Sequence, residues 1–206
     1  MFNSIMTGIT AYISTGIDYI LILMTVLAFN QTTTERIKVY WGDLIGTIVL
    51  VATSLALSFS AKLIPADWIL GLLGIIPIII GIIILTKLGD EDEHEQVVKR
   101  LSKRHLVLNV AIITITTCGA DNIGIYVPIF AQINQWHSLL IILVTFLIML
   151  TVFFGLALLF INIPIVAKLL DRYGDIFTAI VYIGIGLFIM IEANTFGTIV
   201  HLVINS

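Results

Sequence analysis

The chain has 206 residues, 59% of them hydrophobic and 11% charged, and a mean hydropathy of +1.13. That is more apolar matter than a water-soluble domain needs for its core, so an all-α integral membrane protein is expected. The formal net charge of −3 says little about partners, because the acids are concentrated in one loop and inside the apolar segments; the lipid bilayer is the expected surrounding and nucleic acid is not an expected partner.

A helix crosses a bilayer with about 20 mostly apolar residues. Six segments meet this criterion, roughly 5–29, 38–60, 64–86, 106–131, 136–161 and 175–200. The first contains Ser14-Thr15-Gly16-Ile17-Asp18-Tyr19-Ile20; it has no basic residue before it and is too long for the apolar region of a signal peptide, so it is read as a retained helix. The second carries no motif. In the third, Pro77 would free the carbonyl of Leu73, but no polar cluster surrounds it and an ordinary kink is expected.

Between the third and fourth segments lies the longest polar stretch, Lys87 to His105, too short to enclose a core of its own. Its acidic part, Gly89 to Gln96, holds five carboxylates and His94. The spacing does not match a calcium-binding EF-hand loop, and a basic run follows it. It reads as a solvated linker whose basic end touches anionic lipid, with a second cation site as the alternative.

The fourth segment contains Thr116 to Phe130, TTCGADNIGIYVPIF, with the chain's only cysteine, an aspartate and an asparagine within five positions. Gly119 and Gly124 weaken the helix around Asp121, and Pro128 cannot donate to the carbonyl of Gly124. A locally opened helix that offers carbonyl oxygens to an ion is therefore expected here, since irregular backbone at this depth is tolerated only where it is buried in protein or lines a cavity. The fifth segment is apolar throughout, and the sixth carries a lone acid, Glu192.

Lysine and arginine divide unevenly between the two sets of loops. Nine of the ten follow segments 1, 3 and 5, and the other set, which includes both termini, has only Lys62. By the positive-inside rule the first set is cytoplasmic and both termini are outside. An internal repeat supports the same even number of spans: a shift of 103 residues, the separation of Asp18 and Asp121, superposes Gly16 on Gly119 and Ile20 on Ile123. The expected plan is one transmembrane domain, 1–206, built of two inverted three-helix repeats, about 1–86 and 106–206, joined by a cytoplasmic loop at 87–105.

Asp18, Asp121 and Glu192 each cost about 2.5–3.5 kcal/mol near a helix centre, and no Lys, Arg or His lies deep in any segment to offset that cost. Protonation, hydration in a polar cavity, or a bound cation remain, and all three are compatible with transport. Protonated packing groups are the plainer alternative for these acids, as a small buried packing residue is for Cys118. A thiolate selects soft or borderline metals; Cys118 lies three residues before Asp121, so the two occupy adjacent positions on a helix face. Thiolate, carboxylate and the Asn122 amide oxygen could thus share one cavity with Asp18.

The segment TCGADNIGIYVPIF, with STGIDYILI near the start and the six-span layout, resembles the CadD-type cadmium-resistance transporters of bacteria, related to the lysine-exporter superfamily. The CGADN core is the more specific part, STGID the less. The resemblance implies a secondary transporter in the bacterial plasma membrane that exports cadmium, with zinc as a second candidate, and it makes Asp18, Cys118, Asp121 and Asn122 the core residues. Glu192 rests on its depth alone.

Proton antiport is the expected coupling, because metal ligands must lose protons to bind. No cofactor is expected, and nothing specifies a homo-oligomer. An enzyme is not expected: there is no G-x-S-x-G with a histidine at depth for an intramembrane protease, no second cysteine for a thiol reductase, and no phosphate-binding loop for an ATP-driven pump. An amino-acid or other small-solute exporter on the same scaffold is the runner-up, although no Arg is available at depth for a substrate carboxylate. A passive cation channel or a metal-responsive binding protein is a third class.

Overall fold

The computed structural model describes residues 2–62, 71–86, 105–193 and 195, with Asp18, residues 164–172 and Asp175 placed by their backbone alone. The acidic stretch 89–96, most of the basic loop and the start of the third apolar segment lie outside the described residues.

The described residues form six helices and no strand: α1 (Phe2–Phe29), α2 (Thr33–Ala61), α3 (Ile75–Thr86), α4 (Leu106–Gln132), α5 (Trp136–Phe160) and α6 (Pro164–Glu192). Among them α2, α4 and α5 are long and apolar enough to cross a membrane, and α1 joins them if its two halves count as one span. Those halves, Phe2–Ile17 and Tyr19–Phe29, meet at 61°. The sequence explains the bend: Ser14 Oγ donates to the Ala11 carbonyl at 2.7 Å and Thr15 Oγ1 turns back on the carbonyls of Ala11 and Tyr12, and hydroxyls bonded back onto a helix bend it.

Several boundaries differ from the sequence expectation. The α2 helix begins at Thr33, five residues before the expected 38, because Thr32 and Glu35 form a capping box that satisfies the first amides. The α6 helix starts at Pro164, where a proline costs no hydrogen bond, and it stops at Glu192. Pro77 falls in the first turn of α3, and the helix is interrupted just before it: residues 71–72 are helical, 73–74 form a turn and the Ile76 amide donates to the Leu73 carbonyl at 3.1 Å. The opened helix expected around Asp121 is not seen. One helix runs unbroken through Gly119, Gly124 and Pro128, and the bend lies in α1, beside Asp18.

Helix α4 packs most extensively on α2; α1 pairs with α5, and α3 with α6. Small residues set two of these contacts. A Cβ on Gly42 would fall 2.6 Å from the Val107 carbonyl oxygen, and one on Gly46 2.6 Å from Thr114 Cβ, so α2 lies against the α4 backbone. Between α3 and α6 the approach is mutual: a Cβ on Gly74, one residue before α3, would meet the Gly186 carbonyl at 2.5 Å, and one on Gly186 would meet that of Gly74 at 2.3 Å. The α1–α5 contact is aromatic instead, with Tyr12 edge-on to Phe153 at 5.4 Å and Tyr126 of α4 lying 4.5 Å from Phe146.

Lys62 caps α2 and donates from Nζ to the Ile133 carbonyl just past α4, and partial burial lowers its pKa from the ordinary lysine value. The start of α1, the end of α4, the start of α5 and the end of α6 also line a common cavity. One end of the bundle therefore gathers the N-terminal segment, Lys62, residues 133–135 and Glu192.

Candidate functional site

Helix α4 carries the site. Thr114, Cys118, Asn122 and Tyr126 recur every fourth residue, so they share one face, and all four are buried. At 1.5 Å per residue this polar stripe is about 18 Å long, and it faces α1. At one level Tyr126 Oη lies 3.0 Å from Thr15 Oγ1, and nearer the start of α4 Tyr19 Oη lies 2.8 Å from Thr114 Oγ1. Cys118 is 5% exposed, with its sulfur 3.6 Å from Thr117 Oγ1. Asn122 Oδ1 is buried and accepts no hydrogen bond. Leaving such an acceptor unmet costs about 1–3 kcal/mol, which a bound cation would offset.

The expected site residues separate into groups. Cys118 and Asn122 share the stripe. Asp121 lies on its flank, partly exposed. Asp18 occupies the bend of α1, opposite the stripe in chain order, but its side chain lies outside the described set. Of the expected supporting residues, Gly16 packs under the Phe153 ring and Gly124 under Ile80, whereas Gly119 faces Leu50 at an ordinary 3.8 Å. Pro128 is buried within α4. Among the described residues no three His, Cys, Asp or Glu side chains come together, so any coordination shell would draw on amide and hydroxyl oxygens as well.

Glu192 is not deep in its helix. It is the last residue of α6 and exposed, because the helix extends from 164 to 192 rather than across 175–200. It lines the cavity at the terminal-bearing end of the bundle, of about 880 Å³. Asn3, Thr7, Thr10, Gln132 and Ser138 add polar groups to a mostly apolar wall, and Ile129 of α4 also lines it.

One buried acid has no place in the sequence reading. Asp43 of α2 is 2% exposed, and its Oδ1 lies 3.3 Å from Thr114 Oγ1. The burial is made by Gly42 and Gly46 on either side of it, which bring α2 onto α4. The signal that could have found it is the run TTTER: a capping box at Thr32 and Glu35 starts the helix at 33 and sets Asp43 ten residues, about 15 Å, inside it.

Along α4 the polar groups run from Thr114, beside Asp43 and Tyr19, through Cys118 and Asn122 to Tyr126, beside Thr15; the cavity that Glu192 lines begins at the apolar Ile129. A thiol, an amide oxygen and several hydroxyls line this column; only the thiol is a soft donor. Comparison with known proteins gives one match. A family model described as cadmium resistance transporter covers residues 12–202. No curated protein and no solved structure matches the chain.

Proposed function

Because the chain belongs to the cadmium resistance transporter family, a multi-pass membrane family of transporters rather than enzymes, we propose that it exports soft divalent cations, cadmium and with it zinc, from the cytoplasm by proton antiport. The observation that carries this reading is the buried stripe of Thr114, Cys118, Asn122 and Tyr126 on α4; a mostly apolar cavity that Glu192 lines lies at one end of the bundle. Cys118 supplies the soft ligand, Asn122 an unmet oxygen, and Asp121 and Asp18 the charge. Metal entering from the basic end displaces protons from its ligands, and it leaves past Glu192 on the side of both termini.

Six crossings arranged as two inverted repeats fit this reading. Exchange of the two halves turns the α2–α4 pairing into α5–α1 and turns α3–α6 into itself, and all of these contacts are present. The cytoplasmic side is assigned to the loops that carry nine of the ten basic residues. Rocking of one half on the other would then expose the site to each side in turn.

The test is cellular metal content by mass spectrometry in cadmium-challenged cells, comparing wild type with Asp121→Asn at equal membrane levels. Wild type is expected to lower cadmium selectively and the variant to lose that effect. Unchanged metal content with wild type would reject metal export, and full activity in the variant would remove Asp121 from the site.

A further inference from the structure

The bend of α1 separates two hydroxyl contacts that both end on α4. Before it, in the half Phe2–Ile17, Thr15 Oγ1 lies 3.0 Å from Tyr126 Oη. After it, in the half Tyr19–Phe29, Tyr19 Oη lies 2.8 Å from Thr114 Oγ1. On α1 the two contact residues are four apart, about 6 Å along a helix, whereas on α4 they are twelve apart, about 18 Å. The two long phenol side chains and the bend cover the difference. Cys118 and Asn122 lie on α4 between the contacts, and all six side chains are buried. The stretch that holds the unmet Asn122 oxygen is therefore shut at both ends.

The two contacts are backed differently. Thr114 also lies 3.3 Å from Asp43 Oδ1, which ties its contact to α2. The Tyr126 ring lies 4.5 Å from that of Phe146 on α5 and 6.0 Å from that of Phe130, so rings brace the other. Thr114 stands about two turns from the start of α4, and Tyr126 stands in the chain between Asn122 and Ile129, where the cavity begins. The contacts share no atom and no half of α1. Hydrogen bonds between helices in a membrane are weak enough to break and re-form, and a helix interrupted in mid-course can turn one half while the other stays. One contact can thus part while the other holds.

We propose that Tyr19 and Tyr126 are the two gates of the ion path, hinged by the bend between them. Tyr19, held on Thr114, shuts the Cys118–Asn122 stretch from the start of α4; Tyr126, held on Thr15, shuts it from the cavity. This rests on the metal-export reading: the ion enters when the Tyr19 gate parts and leaves when the Tyr126 gate does. With both contacts made, the structure is closed to either side.

Cys118 reports on both gates, because it lies between them and the chain has no other cysteine. The measurement is its labelling by a membrane-impermeant methanethiosulfonate in the full-length protein, in intact cells and in inverted membrane vesicles, with a terminal tag marking the face of the termini. Wild type is expected to label slowly from either face, since a buried thiol reacts poorly. Tyr126→Ala should speed labelling from the face of the termini alone, and Tyr19→Ala from the opposite face alone. Fast labelling of wild type from both faces, or a variant accelerated from the wrong face, from both equally or from neither, would overturn the proposal. Where an alanine variant fails to reach the membrane, the phenylalanine variant at that position, which loses only the hydroxyl, decides. It is expected to label about threefold faster from the same single face, the factor given by loss of about 0.6 kcal/mol, and an unchanged rate would overturn the gate. Cadmium flux into the inverted vesicles separates this proposal from the reading beneath it. A wild type that moves no cadmium would reject metal export, and the sided labelling would still decide whether the tyrosines close the stretch.

Discussion

The seam between α2 and α4 and the seam between α1 and α5, which would exchange under the proposed repeat, are made of opposite materials. The first is closed by glycines, with α2 resting on the α4 backbone at Gly42 and Gly46. The second is filled by rings, Tyr12 against Phe146 and Phe153. A shift of 103 residues, Asp18 onto Asp121, brings Asp43 onto Phe146, and both are buried, at 2% and 3% exposure. At the positions this shift relates, one seam holds an acid near hydroxyls and the other a packed ring.

This contrast predicts different responses to substitution. The largest effect is expected at Phe146→Ala, which removes a buried ring from the centre of the aromatic cluster and should cost about 3–5 kcal/mol, read as loss of thermal stability of the detergent-solubilised protein. A small loss would mean that the rings do not hold α5 to α1. Gly42→Ala comes next, at about 1–3 kcal/mol, because its nearest obstacle is the Val107 carbonyl oxygen, which belongs to the backbone and cannot rotate away. An unchanged melting temperature there would remove the case for glycine as the closing device of the polar seam. Smallest is Tyr126→Phe, which deletes the 3.0 Å contact with Thr15 and should cost about 0.6 kcal/mol, the average for such bonds within a membrane; Thr15 keeps its bonds to the carbonyls of its own helix.

The apolar helices were legible in the sequence because hydropathy and charge can be counted segment by segment. The spacing pairs Cys118 with Asp121 on a helix face; in the structure Cys118 and Asn122 are buried while Asp121 is partly exposed. The ends of helices were less legible. Glu192 looked central only because the last helix was expected to run across 175–200; the proline that opens it at 164 moves it toward the N-terminus and leaves Glu192 at its end. Asp43 was hidden for the converse reason. Near the edge of the segment expected to begin at 38, a carboxylate suits a membrane surface, and only the capping box before it and the glycines beside it place it inside. The bend of α1 had a local cause as well, in Ser14 and Thr15, but hydroxyls bonded back onto their own helix compete with bonds to a neighbour, and packing decides between them.

At Gly74 and Gly186 the backbones of the α3 and α6 segments come within a Cβ of each other, in a pairing that exchange of the halves would leave in place. In mechanical language it is a bearing. If the halves rock as proposed, they would turn about this point, and the two sides would open in alternation. A side chain at either glycine would act as grit in that bearing.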